Sequence, residues 1–215
     1  MHKLFVGSLV LMLVTLGWGE SSFGQERPVP RGELRIVDKN PSNWVSLTFH
    51  VFEHLMEVDP EGKLVPRLAT GWRWLDDRTL EVTLRQGVTF HNSEVFDATV
   101  VKLNWDEQSQ LKQPHTIGSH MNFKPGSRVE VIDPQTVRFV FPEPDGGALS
   151  KITFMHMTNR QFYRDVGWGT GPYKLVEGFS RPNVRSDRIV LEAHLDYWDP
   201  ARFPRLQRII FQQSV

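Results

Sequence analysis

The sequence predicts a mixed α/β (α+β) fold rich in antiparallel strand pairs. Three observations carry that expectation. Runs with apolar residues at every second place recur between turn signals, as in Leu80-Glu81-Val82-Thr83-Leu84, the pattern of a strand with one buried face. Behind Asp97, helical spacing takes over, with Val101 and Trp105 four residues apart, as on the inward stripe of a helix. Finally, 215 residues with 40% hydrophobic and 23% charged side chains can bury a core, and that balance argues against disorder or coiled coil.

The elements follow in order. Gly32–Asp38 reads as a first strand bounded by Pro28, Pro30 and Pro41. Ser42 or Asn43 can cap a helix running to about Met56, with Leu47, Val51 and Leu55 at intervals of four. Asp59-Pro60-Glu61-Gly62 is a turn. Trp72 and Trp74 alternate in a strand, Asp76-Asp77-Arg78 turns, and Leu80–Arg85 returns, which makes a hairpin. Asp97 caps a helix over Ala98–Gln108. A second hairpin joins Val129–Ile132 to Thr136–Phe141 through Asp133-Pro134-Gln135, and 110–126 and 142–147 read as loops. Pro172–Glu177, Ile189–His194 and Arg208–Gln212 are three further strands.

Charge and cysteine narrow the function classes. Lys and Arg together number 25, as do Asp and Glu, so there is no electrostatic footprint for nucleic acid. The absence of cysteine removes disulfides, thiolate metal sites, thiol nucleophiles and a lipidated cysteine. Residues 1–24 have the three-part plan of a secretory leader: basic Lys3, an apolar run from Leu4 to Leu16, and small residues at Ser22 and Gly24 before Gln25. Gly17 and Gly19 offer an alternative cleavage site. The apolar run is shorter than the ~20 residues a membrane span needs, so a cleaved signal peptide and an exported, periplasmic protein are expected. Cleavage removes one cation, Lys3, and one anion, Glu20, and leaves the charge balanced.

Three blocks in order then carry a resemblance. The first is Leu64-Val65-Pro66-Arg67-Leu68-Ala69-Thr70-Gly71-Trp72, with Asp76-Asp77-Arg78 and Leu84-Arg85-Gln86-Gly87-Val88-Thr89-Phe90-His91 after it. The second is Phe96-Asp97-Ala98-Thr99-Val100-Val101. The third is Gly169-Thr170-Gly171-Pro172-Tyr173, followed by Ile189–Glu192 and Asp196-Tyr197-Trp198. Together they resemble the family 5 solute-binding proteins of bacterial ABC importers, the dipeptide, oligopeptide and nickel group. Two positions depart from the family pattern. Val100 stands where the family usually carries Asp, and His91-Asn92-Ser93 replaces the common His-Asp-Gly.

The resemblance spans roughly residues 31–212. It implies a periplasmic binding protein type II-like first lobe, residues 25–215, with a small additional subdomain inserted at about 92–168. Family members are usually more than twice this length and close two lobes on the ligand, so the second lobe is expected to be missing here, as in a fragment or a truncated product. The implied role is the substrate-binding component of an ABC importer, for peptides or a similar solute, delivering ligand to a permease in the inner membrane, with no cofactor and no catalysis. Asn43 and Trp44 after the first strand, and Trp168 and Gly169 where the subdomain returns, are the expected ligand contacts.

Two rival readings remain open at this level. His50-Val51-Phe52-Glu53-His54 matches the H-x-x-E-H pattern of inverted zinc peptidases. On a helix, His50 and His54 would share a face and could hold a metal, with Glu53 as base. The other rival is a truncated, non-binding interaction protein with a sticky exposed cleft wall. No P-loop, G-x-S-x-G or G-x-G-x-x-G is present.

Overall fold

The computed structural model describes residues 27–39, 49–110, 120–161, 168–178 and 186–214. The leader region 1–24 and the ligand candidates Asn43 and Trp44 lie outside these segments. In chain order the strands are β1 (Glu33–Asp38), β2 (Glu53–His54), β3 (Met56–Val58), β4 (Leu64–Pro66), β5 (Ala69–Asp76), β6 (Thr79–Leu84), β7 (Arg128–Asp133), β8 (Thr136–Val140), β9 (His156–Met157), β10 (Tyr173–Glu177), β11 (Arg188–Ala193) and β12 (Arg208–Gln213). Helix α1 spans Ala98–Gln108 and helix α2 spans Ala148–Ile152, with a 3-10 turn at Pro200–Arg202. Among the described residues no helix is long and apolar enough to cross a membrane.

Two four-stranded sheets organise these elements. The first has the order β1-β12-β11-β10, with β1 parallel to β12 and the other neighbours antiparallel. The second, β5-β6-β8-β7, is antiparallel throughout and joins residues 69–84 to 128–140. Local chemistry explains its turns. The Asp76 carboxylate accepts the Arg78 N–H at 2.8 Å, and Asp133 Oδ1 accepts the Gln135 N–H at 2.7 Å, each an Asx turn that reverses the chain. Leu80, Val82 and Leu84 point into the core, while Glu81 on the opposite face bridges Arg73 on β5 and Arg138 on β8.

Helix α1 starts where the sequence predicts. Asp97 Oδ1 accepts the N–H groups of Thr99 at 2.9 Å and Val100 at 3.1 Å, satisfying two amides that the first turn leaves free. The Ala98 N–H donates to the Pro134 carbonyl in the β7–β8 turn. The helix therefore lies on that hairpin, with Trp105 packed edge-on against Phe139 and tilted over Phe123. This layer forms the larger core, which also takes in Leu55, Met56, Leu68 and Ile152. Trp72 and Trp198 pack against it half-buried. A smaller core lies on one face of the first sheet: Ile189, Leu191, Ile209 and Phe211, with Val51 and Phe52 laid across them.

One element departs from expectation. The helix predicted to reach Met56 is helical at 49–51 and then extends into β2 and β3. β2 pairs with β9, and β3 forms a hairpin with β4 around Gly62, whose φ is +81°. The cause is a change of partner within six residues: Val51 and Phe52 serve the smaller core, Leu55 and Met56 the larger. A segment buried on all sides has no readable period. The two-residue strands β2 and β9 and the short helix α2 also fall below what sequence pattern reveals.

Candidate functional site

The residues between the two cores are the most chemically loaded part of the molecule. Glu53 is 2% exposed and is surrounded by donors from the third sequence block. The Tyr197 hydroxyl donates to Oε1 at 2.7 Å, while Trp198 Nε1 at 2.7 Å and the Thr170 hydroxyl at 2.8 Å donate to Oε2. Arg202 Nη1 stands 3.7 Å from Oε1. It is presented there by the 3-10 turn that Asp199 caps through the Ala201 N–H. Burial pushes the Glu53 carboxyl up, and the hydrogen bonds from Trp198, Tyr197 and Thr170 with the Arg202 charge pull against that. The net direction is upward.

Beside this knot runs a glycine strap. A Cβ on Gly169 would stand 1.8 Å from the Val51 carbonyl oxygen, and one on Gly171 would stand 2.5 Å from that of His50. Only glycine allows so close a backbone approach. The Gly171 N–H donates to the Val51 carbonyl at 2.9 Å. From the other side, the His91 N–H donates to the Gly169 carbonyl at 2.9 Å, and His91 Nε2 and His194 Nδ1 lie 2.9 and 3.3 Å from the Gly171 carbonyl. Burial holds the His91 imidazole down at about 3, well below the ordinary histidine value, and His194 is also lowered, chiefly by burial.

The H-x-x-E-H reading fails on this geometry. His50 sits half-buried in the helical turn with its ring edge-on to Tyr173 and Phe211 of the smaller core. His54 is in β2, opposite His156 of β9, with ring centroids 6.4 Å apart. Burial lowers His54 to about 4. Adjacent residues of a strand face opposite ways, so Glu53 and His54 diverge, and Glu53 is already engaged by three donors. No group of three or more His, Cys, Asp or Glu among the described residues could hold a metal ion. The spacing was right and the backbone was wrong for it.

Of the expected ligand contacts, Trp168 and Gly169 lie together on the strap. Trp168 is half-buried against the larger core, and its carbonyl accepts the Asn159 N–H at 3.1 Å. Gly169 is buried. The structure adds residues that the sequence reading did not single out. Asn104 Nδ2 donates to the Thr158 carbonyl at 2.7 Å and Oδ1 accepts the Thr158 N–H at 3.1 Å, while Gln108 Nε2 donates to the His156 carbonyl at 2.7 Å. Two amide side chains on α1 thus act as a neighbouring strand for the segment that includes β9. A polar pair four residues apart on the buried side of an amphipathic helix was the available signal.

Two open grooves flank the 143–147 loop. One, about 440 Å³, is lined by Trp74, Asp76, Asp77, Pro144, Asp145, Gly146 and Leu149. The other, about 360 Å³, has Phe123 as a wall and the ion pairs Lys124–Glu143 and Lys151–Asp145 at its rim.

Comparison with known proteins finds relatives of the chain. The family model described as bacterial extracellular solute-binding proteins, family 5 Middle, matches residues 63–214. The glutathione-binding protein GsiB of Salmonella paratyphi A is 28% identical over 189 residues, covering 83% of this chain and 35% of GsiB. GsiB of Escherichia coli K12 is 26% identical over the same span. Among solved structures, NikA from Brucella suis in complex with Fe(III)-EDTA matches with a TM-score of 0.69 at 26% identity, over 84% of this chain and 39% of NikA. A dipeptide-binding protein from Pseudoalteromonas sp. SM9913 in complex with Met-Leu matches with a TM-score of 0.69 over 85% of this chain and 43% of that one. At 16% identity that likeness is one of fold. The chain spans 35–36% of the length of the GsiB proteins it matches.

Proposed function

We propose, from the fact that this chain belongs to the bacterial extracellular solute-binding proteins of family 5, that it forms one wall of the ligand cleft in the substrate-binding component of an ABC importer. The observation that carries this reading is the family match over residues 63–214. The ligand is a peptide or a peptide-like solute, a choice supported by relatives that bind glutathione and by a structural neighbour holding Met-Leu. The fold is a type II-like first lobe, and its added subdomain takes in β5 and β6 as well as the expected segment around 92–168, because β6 pairs with β8 in one sheet. Residues 1–24 direct the chain to the periplasm, where it delivers ligand to an inner-membrane permease.

Trp168 is the contact best suited to such a ligand. Its indole offers an apolar wall with one donor, and the strap behind it lies tight against the Val51 backbone. Gly169 brings the backbone close beside it, and Asn43 and Trp44 complete the set at the level of sequence. A single wall leaves a ligand half solvated, and water-exposed polar contacts add only about 0.5–1.5 kcal/mol each. The 215-residue chain by itself is therefore expected to bind at best in the millimolar range.

Titration of the chain with glutathione and with Met-Leu, followed by amide and indole NMR shifts, tests this. Weak, saturable shifts centred on the Trp168 indole support the reading. Shifts nowhere, with both probes, overturn it. Micromolar binding by calorimetry would refute the one-wall part.

A further inference from the structure

The strap is pinned between two walls of different character. One wall is the Val51–Phe52 backbone, against which Gly169 and Gly171 have no spare room. The other is chiefly His91, which reaches the strap twice: through its main-chain N–H to the Gly169 carbonyl and through Nε2 to the Gly171 carbonyl, both at 2.9 Å. A carbonyl oxygen only accepts, so Nε2 carries the proton. Nδ1 is buried with no hydrogen-bond partner, which suits a bare lone pair far better than a second N–H.

His194 repeats the logic. Its Nδ1 approaches the same Gly171 oxygen at 3.3 Å, its main-chain N–H donates to the Pro172 carbonyl at 2.8 Å, and the two imidazoles meet edge to face with centroids 4.9 Å apart. One carbonyl thus accepts from two neutral imidazoles. The charged groups acting on this pair are Lys174, on both rings, and Asp196 and Arg27, on His194.

We propose that His91 is a positioning residue for ligand binding: as the Nε2–H tautomer it clamps the Gly169–Gly171 strap and so holds the Trp168 wall in one orientation. This rests on the reading of Trp168 as a ligand contact. His91 itself is buried and touches no ligand. Its effect passes through two carbonyls of the strap.

Conservative variants separate positioning from mere packing. A glutamine at this position places its Nε2 the same number of bonds from Cβ as the histidine Nε2, whereas an asparagine is one bond shorter. His91→Gln is expected to keep a single Trp168 indole resonance and a glutathione response within about twofold of the original. His91→Asn is expected to split or broaden that resonance and weaken the response about tenfold. Nitrogen-15 spectra of the unsubstituted chain are expected to show His91 protonated on Nε2 at neutral pH.

The Nδ1–H tautomer, or a folded His91→Asn chain with an unaltered Trp168 resonance, overturns the proposal. If His91→Asn does not fold, the tautomer and the His91→Gln rescue decide. If neither glutathione nor Met-Leu shifts any resonance of the unsubstituted chain, the functional reading falls and the ligand-positioning role falls with it. A strap whose indole resonance still depends on His91 would then mark a structural clamp only.

Discussion

Tyr197 donates its hydroxyl to Glu53 Oε1 at 2.7 Å across 144 positions of sequence. With Thr170 and Trp198 on the other carboxylate oxygen, this one side chain ties β2 to the glycine strap and to the turn after β11. Replacing Glu53 with leucine strips the acceptor from three donors at once. Each buried group left unsatisfied costs about 1–3 kcal/mol, so a loss of at least ~3 kcal/mol is expected. Glu53→Gln keeps one acceptor oxygen and faces the other donors with an amide, so a smaller loss is expected. Urea unfolding midpoints read both, and a Glu53→Leu midpoint equal to that of the original chain would refute the knot.

The strap makes a sharper contrast. A Cβ at Gly169 meets the Val51 carbonyl oxygen at 1.8 Å, while one at Gly146 meets nothing within 4 Å. Gly169→Ala must push two backbone segments apart, and its expected cost is in the exceptional range, above ~4 kcal/mol. Gly146→Ala is expected to stay within about 0.5 kcal/mol. Paired thermal melts of the two alanine variants check the difference. Equal melting points would mean that the strap does not lie against Val51.

Ser93 has φ +67°, the left-handed region, and no other described non-glycine residue does. It occupies the place where family members resembling this chain commonly carry glycine. The strain of a side chain there costs roughly 1 kcal/mol, and the N–H bond of Ser93 to the Phe90 carbonyl is a backbone contact that glycine keeps. Ser93→Gly is therefore expected to raise stability by at most about 0.6 kcal/mol, the strain relief less the roughly 0.4–1 kcal/mol of entropy that glycine adds to the unfolded chain. A lower unfolding midpoint in the variant would contradict the assigned conformation.

These cases show what the sequence makes legible. Asp97, Asp76 and Asp133 act on amides two or three residues away, so cap and turns are local chemistry and could be read directly. The hairpins β5–β6 and β7–β8 show one alternating face each, and both were readable. The partners of Glu53 could not be read locally, because Thr170, Tyr197 and Trp198 are more than a hundred positions away, and the local spacing offers a metal-binding helix only as a rival. Asn104 and Gln108 were missed for the same reason, since they pair with β9 and Thr158 some fifty positions on. Gly169 and Gly171 stood out as a tight motif, but their reason, contact with the His50–Val51 backbone, is tertiary. The family was legible because its signature is made of the local features.

Acid should weaken this fold more than its zero net charge suggests. Burial lowers His54 to about 4 and His91 to about 3, and lowers His194 as well, while the unfolded chain titrates near 6.5. A histidine that is neutral in the folded state and protonated in the unfolded state makes the unfolded chain bind more protons, so stability rises with pH across that window. Its contribution is complete above about 6.5 and is lost as pH falls toward the folded values. Glu53 works in the opposite direction, because a raised carboxyl pKa makes the folded state the better proton binder above 4.5. At up to ~1.4 kcal/mol per pH unit and group, three lowered histidines outweigh the single carboxyl, and stability is expected to fall between pH 7 and pH 5. Urea unfolding at the two pH values measures it. His91→Gln should flatten the dependence by about one histidine's share, and an unchanged slope in that variant would show that His91 does not stay neutral in the folded chain.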